Sequence, residues 1–406
     1  MKKLLTLLLA LTMALSVCCA VSVAEEPTTL TMLSWWSETQ MADTVAGFEA
    51  AYPEYKIEVQ YAAPINDYIT RFQALQATGE LPDIWATAAE NRLDVFNTEY
   101  AADLGELLNA SGLAKGNIER YTDDNGRVVA YAPTSWVSGL AYNKDMLTEN
   151  GLEVPTDWES WLNCVATLEA NGVQAIAMDP GAVSDFAGMT VGATTVWNDP
   201  EYDNKVNKGE LKYADGWTDA LKLWYDTYIA TGYFHEEALG ISGDDAMNAF
   251  LLGDACFRGC ATWNVDTVNE SADFEWGLIP YFGPDGAAIA CGAVTVGWSV
   301  NATSPNAEGA MKWIEYLLSD DGAARFYSVT GGILNIGAEY ELDERLLELA
   351  DLFNQGHFYL SQVEFKFSDA ISSIVNAGTL EIMMGTASIE DVVGRMDAKY
   401  AELSAN

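Results

Sequence analysis

The stretch TMLSWWSETQ, residues 31–40, closes a run of strand character on two adjacent tryptophans. A large flat ring at a strand end is a platform on which another ring or an apolar face can stack. Neighbours on a strand point to opposite faces, so one of Trp35 and Trp36 is expected to reach outward while the other anchors the strand. Glu38, just beyond them, either accepts hydrogen bonds from hydroxyls or complements the dipole of the helix it opens. Asp83, in LPDIWAT, and Glu90, just past it, are further acceptors, with turn or capping work as the competing role for Asp83. Trp197, in TTVWND, is another candidate ring among the chain's 13 tryptophans. Rings with carboxylates beside them can hold a solute by stacking and hydrogen bonding, without covalent chemistry. The chain has only 2 histidines, His235 and His357, which removes most histidine-based catalysis.

The first hundred residues alternate the two regular periods. Leu30 to Ser34 reads as a strand, and Met41, Val45 and Phe48 follow at helical spacing until Tyr52-Pro53. KIEVQY (56–61) alternates as a second strand; Ile65, Ile69, Phe72 and Gln76 mark a second helix; LPDIWAT begins a third strand. This β-α-β-α-β order predicts a parallel sheet with helices on both faces, and ligands of such sheets sit beyond the strands' carboxyl ends. Trp35 and Trp36 lie at one such end. Further on, PTDWESWLNCVATLEANG (155–172) carries Thr156 and Glu159 at capping-box spacing, and SPNAEGAMKWIEYLLSDDG (304–322) opens Ser-Pro, a cap followed by proline at the first helical position. Trp158, Trp161, Trp224 and Trp313 sit on helical faces and read as core. No solenoid period and no Pro/Gly/Ser-rich linker divides the chain, so its two or three domains must be joined by strands or short hinges.

Lys2 and Lys3 precede an apolar run, Leu4 to Val17, too short to span a bilayer, and Ser22 and Ala24 occupy small-residue cleavage positions. Residues 1–24 therefore read as a secretory signal. Leu15-Ser16-Val17-Cys18 also resembles a lipobox, which would leave a lipidated Cys18 at the new N-terminus; release and anchoring both stay open. Processing leaves Cys164, Cys256, Cys260 and Cys291, few for a disulfide-stapled domain; Cys256 and Cys260 either pair or stay as buried thiols. No cysteine or histidine spacing suits zinc, and DPEYDNKVNKGE (199–210) fails as a calcium loop, with no glycine at its sixth position and Lys205 at its seventh. No metal or cofactor is expected. With 60 acids against 20 bases, a net charge of −40 argues against nucleic acid and anionic lipid as partners.

Several segments together resemble the extracellular solute-binding proteins of bacterial ABC importers, in the sugar-binding group that includes maltose-binding protein. They are LTMLSWWSETQMADTVAGFEAAYPEYKIEV, DYITRFQALQATGELPDIW, NGRVVAYAPTSWVSGLAYNKDMLTENGLEVPTDWESW, FLLGDACFRGCATWN and VGWSVNATSPNAEGAMKWIEYLLSDDGAARFYSVTGG. They follow the family's order over well more than half the chain; residues 173–240 and the last fifty match poorly. The resemblance implies a two-lobed α/β fold of the type II periplasmic-binding-protein kind, a sheet flanked by helices in each lobe and a ligand cleft at the hinge. Lobe 1 would be 25–135 plus about 296–345, and lobe 2 about 136–295 plus about 346–406. The chain would cross at about Thr134 to Ser138, return at about Gly292 to Trp298, and cross again near 335–350.

In GCATWN the resembling family places a ligand-stacking tryptophan, which is Trp263 here; Asn264 and Asp266 follow it as hydrogen-bonding or turn-forming residues. Trp136 falls in the implied hinge, facing the cleft. The function so implied is capture of a carbohydrate, oligosaccharides included, by a monomer that closes over it and docks on a membrane permease of an ABC importer. It would act outside the cytoplasmic membrane, free or lipid-anchored. The acids would also suit a cationic solute such as a polyamine. A secreted glycosidase would need two suitably spaced carboxylates, which so many acids could supply by chance. A sensory or adhesion protein could keep the same binding fold.

Overall fold

The computed structural model describes residues 26–405 apart from 64, 88–98, 112, 114–117, 119, 124 and 336–340. In lobe 1, β1 (Thr28–Ser34), β2 (Tyr55–Tyr61) and β3 (Ile84–Thr87) run parallel with β1 between the others, and a returning strand, β10 (Gly297–Val300), pairs antiparallel with β3. The register opposes Leu30 to Ile57 and Met32 to Val59. The helix Glu38–Ala51 starts on a capping box, Ser37 with Gln40, buries Met41, Thr44, Gly47 and Phe48, and stops ahead of Pro53. A second helix, Ile65–Thr78, is fixed across the sheet by Tyr68, whose hydroxyl donates to the Ala86 carbonyl at 2.7 Å. The core of this lobe is aromatic, with Phe48, Phe72, Trp85, Trp298, Trp313 and Phe326 buried together.

Lobe 2 is built on β4 (Thr134–Asn143). Its sheet runs β12 (Phe358–Tyr359), β9 (Ala288–Val294), β4, β6 (Ala255–Ala261), β5 (Gln174–Ile176). The short strands β7 (Trp276–Ile279) and β11 (Ile333–Leu334) also pair with β4, and β8 (Tyr281–Phe282) pairs with β9. One cluster carries Trp161, Phe186, Trp217, Trp224 and Phe257; another carries Val137, Ala141, Phe250, Leu349 and Phe353. Of the tryptophans expected in the core, Trp161, Trp224 and Trp313 are fully buried, and Trp158 is packed against the first cluster.

Two local expectations are corrected, and one left open is decided. The helix Trp158–Ala170 is capped by Asp157 with Ser160, one residue on from Thr156 and Glu159, because the Asp157 carboxylate reaches the Ser160 N–H at 2.8 Å. The segment 304–322 forms two helices, Ala307–Leu317 and Asp320–Thr330, with Ser319 capping the second. Ser304 caps neither; its hydroxyl donates to Asp83 and accepts from the Asn306 N–H. Cys164, Cys256, Cys260 and Cys291 are all free and buried. Cys256 and Cys260 lie on one extended strand, about 13 Å apart, far beyond disulfide reach.

The chain passes between the lobes at 132–135, 294–297 and 331–335, and polar side chains bind these passages together. Thr134 Oγ1 lies 2.8 Å from Thr295 Oγ1 and 3.0 Å from Thr330 Oγ1. Ser135 donates to Asn335 at 2.6 Å, and the Asn335 amide donates to the Ala132 carbonyl at 2.9 Å. Gly332 has φ 94°, and a Cβ there would meet the Ser135 carbonyl oxygen at 2.2 Å, so only glycine allows this approach. Ahead of the expected crossing near 335–350, β11 pairs with Thr134 and Ser135.

Candidate functional site

The strand register lays out the rim of lobe 2. Ser138 faces Ala261 on one side and Cys291 on the other, Trp136 faces Ala293, and Tyr359 faces Cys291. Trp263 lies in the turn just past Ala261, and Ser361 opens a short helix just past β12. Three strand spacings separate Ala261 from Tyr359, about 14 Å. The Trp136 and Trp263 rings meet at 5.2 Å between centroids, tilted 59°. Trp136 is half-buried in β4, whereas Trp263 is 60% exposed. The turn Thr262–Asn264 holds that ring out, because the Asn264 side-chain oxygen accepts from the Ala261 N–H at 3.1 Å. Asn264 therefore positions Trp263. Asp266 is exposed in the first turn of the next helix, Val265–Ser271.

A groove of about 530 Å³ opens beyond Ser361, lined by Gln362, Asp369, Ser372, Ser373, Asn376, Ala377 and Leu380. Apart from Gln362 these residues share one face of the helix Ser368–Met383, at spacings of three and four. The Ser372 hydroxyl oxygen is buried and takes no partner among the described residues. Hydroxyls, amides and one carboxylate line this groove beside Ala377 and Leu380, and among the described residues no basic side chain does. Such a lining suits an uncharged, hydroxyl-bearing ligand. None of these residues stood out in the sequence.

Lobe 1 treats its own tryptophan pair differently. The strand stops at Ser34, whose hydroxyl accepts from the Trp36 N–H at 2.9 Å and bends the chain. The alternation expected of a strand is lost, and the two rings lie together at 5.4 Å. Trp36 then packs on Trp298 at 5.8 Å and edge-on to Phe326 at 5.4 Å; Trp35 meets Tyr68 at 5.0 Å. Both rings are half-buried against the lobe's core. Glu38 is the exposed first residue of its helix, in place to complement the dipole.

Of the two roles open to Asp83, ligand acceptor and turn or capping residue, its contacts are those of a structural tie. It is 7% exposed and lies at the amino end of β3, away from the carboxyl ends at Ser34 and Thr87. It accepts from the Thr31 N–H at 2.7 Å, the Thr31 hydroxyl at 2.9 Å, the Ser304 hydroxyl and the Asn306 amide at 3.4 Å. Glu90 lies outside the described residues. Trp197 is half-buried, its ring tilted 56° against that of His357 at 4.9 Å between centroids. It does not join the Trp136–Trp263 pair.

Asp203 is buried in lobe 2, with its Oδ1 unpartnered among the described residues. Burial first, and the charge of Glu364 second, push its pKa up to about 8, so it is held protonated at neutral pH. In the rejected calcium loop, Asp199 is paired with Lys205 at 2.7 Å. Among the described residues, no cluster of three or more potential ligands could hold a metal ion, and no helix is long and apolar enough to cross a membrane.

Residues 34–324 match the profile of the family described as bacterial extracellular solute-binding protein. The chain is 22% identical over 333 residues to the multiple sugar-binding protein of Streptococcus mutans, covering 77% of this chain and 76% of that one. It is 21% identical over 322 residues to the sn-glycerol-3-phosphate-binding periplasmic protein UgpB of Shigella flexneri, covering 73% and 70%. Among solved structures, a family 1 extracellular solute-binding protein from Bifidobacterium longum subsp. infantis superposes with a TM-score of 0.82 at 24% identity, covering 93% of this chain and 100% of that one.

Proposed function

Because the chain belongs to the bacterial extracellular solute-binding proteins, we propose that it captures a carbohydrate outside the cytoplasmic membrane and delivers it to the permease of an ABC importer. The observation that carries this reading is the exposed Trp263 ring, paired with Trp136 on the rim of lobe 2. A pyranose offers an apolar C–H face to such a ring and a girdle of hydroxyls to amides and carboxylates. The groove at Gln362, Asp369, Ser373 and Asn376, in the segment that follows β12, supplies such partners in the same lobe. The chemistry of that groove also separates the two relatives' ligand types: with no base in its described lining it favours a neutral sugar over a phosphate ester. Both relatives are named as binding proteins, and the reading here involves no covalent step.

Closure would bend the three passages around Thr134, Thr295, Thr330 and Asn335 and bring lobe 1 over the rim. Water would leave the stacked face, and the hydrogen bonds would strengthen as it did. The test is intrinsic tryptophan fluorescence titrated with mono-, di- and trisaccharides, sn-glycerol 3-phosphate and spermidine. A saturable change with a neutral glycan is the expected result. A response confined to spermidine or to the phosphate ester would replace the carbohydrate reading.

A further inference from the structure

We propose that Arg120 is a positioning residue for closure: it fixes the angle between the lobes on the side of the cleft where the polar groove begins. This rests on the binding function proposed above. Arg120 stands in lobe 1 between Ile118 and Tyr121, both buried in that lobe's core. Tyr121 is itself held, its hydroxyl donating to the Thr295 carbonyl in the hinge. From there the guanidinium reaches into lobe 2. One Nη donates to the Val363 carbonyl, and the other lies 3.5 Å from the Glu364 carboxylate.

The receiving segment is rigid. Phe365, next in the chain, packs edge-on to Tyr213 and against Trp217. Asn207 clamps the backbone from both sides, donating to the Glu364 carbonyl at 2.7 Å and accepting from the Lys366 N–H at 3.1 Å. Val363 follows Gln362, the first residue of the groove. The contact also sits near the β12 edge, two strands from the hinge strand β4, about 10 Å away. At that offset it resists rotation about the hinge, which the hinge bonds alone do not.

A guanidinium suits this task because its planar fork serves a carboxylate and a carbonyl at once. The arginine side chain is 20% exposed and the glutamate 32%, so the contact is neither fully screened nor sealed. Its strength is that of a partner across a closing interface, where loss of one group shows mainly in the dissociation rate.

Two measurements test it. Small-angle scattering of the ligand-free protein compares wild type with Arg120→Ala, Arg120→Lys and Glu364→Gln, each checked for an unchanged melting profile. Arg120→Ala is expected to enlarge the radius of gyration, with a smaller change in Glu364→Gln, which keeps the Val363 acceptor, and partial rescue by lysine. Stopped-flow with a glycan that saturates wild type is expected to show release roughly tenfold faster in Arg120→Ala, with association changed far less. Should no glycan bind wild type, the carbohydrate reading fails, and scattering alone still decides the role of Arg120. Wild-type scattering together with wild-type release in Arg120→Ala would overturn the proposal. If that variant fails to fold, wild-type scattering in Glu364→Gln and Arg120→Lys would do the same.

Discussion

Each lobe carries two tryptophans in ring contact, and the two pairs have nearly the same spacing, 5.4 Å for Trp35 and Trp36 and 5.2 Å for Trp136 and Trp263. Their surroundings differ. The lobe 1 pair continues into a series of rings, Trp36 to Trp298 to Trp313 to Phe48, that forms the core of that lobe. The lobe 2 pair ends at an exposed ring on a turn. Adjacent rings therefore do not make a platform; exposure at the end of the pair does. The buried aspartates show a parallel contrast. Asp83 of lobe 1 accepts from Thr31, Ser304 and Asn306, while Asp203 of lobe 2 keeps an unpartnered oxygen and a proton.

The largest effect should come from Trp36→Ala. Removing a ring packed on Trp298 and Phe326 is expected to cost about 3 kcal/mol of stability, read from chemical denaturation. A loss below about 1 kcal/mol would mean that the lobe 1 pair is free for another role. Asp83→Ala should come next, at about 2 kcal/mol, because the donors of Thr31 and Ser304 would lose their acceptor; sugar affinity measured in the folded fraction should not move.

Asp203→Asn should act in the opposite direction and depend on pH. The folded pKa of Asp203, about 8, is raised above the usual carboxylate value. Between roughly pH 4 and 8 the unfolded chain has released a proton that the folded chain keeps, so this group lowers stability as pH rises through that window. The asparagine variant is expected to melt at least about 1 kcal/mol more stably than wild type at pH 7.5, with the gap closing toward pH 4. A pH-independent difference would mean that Asp203 is already ionised in the fold. The smallest effect is expected from Asn376→Ala, about 1 kcal/mol or fivefold in affinity at unchanged stability, from one lost hydrogen bond in the groove.

The sequence carried the first three strands and two helices of lobe 1 well, since the hydrophobic period is regular there. The order of family-like segments pointed to Trp136 and Trp263, whose rings lie 5.2 Å apart. The role of Asp83 was hidden because its partners, Thr31, Ser304 and Asn306, are up to 223 residues away in sequence. The Trp35–Trp36 alternation failed on one hydroxyl, that of Ser34, which ends the strand early. Arg120 and the groove at Gln362 and Asn376 were unreadable for a different reason. Single polar residues acquire meaning only when tertiary packing sets them on one rim, and no local period marks that.

The measurement that bears most directly on the lobe 2 platform is calorimetric titration of Trp263→Ala with the first glycan found to saturate wild type. Stacking at an exposed ring predicts a loss of about 2 kcal/mol, about 30-fold in affinity, with the melting temperature unchanged because Trp263 is 60% exposed. Wild-type affinity in this variant would contradict the account and remove Trp263 from the site.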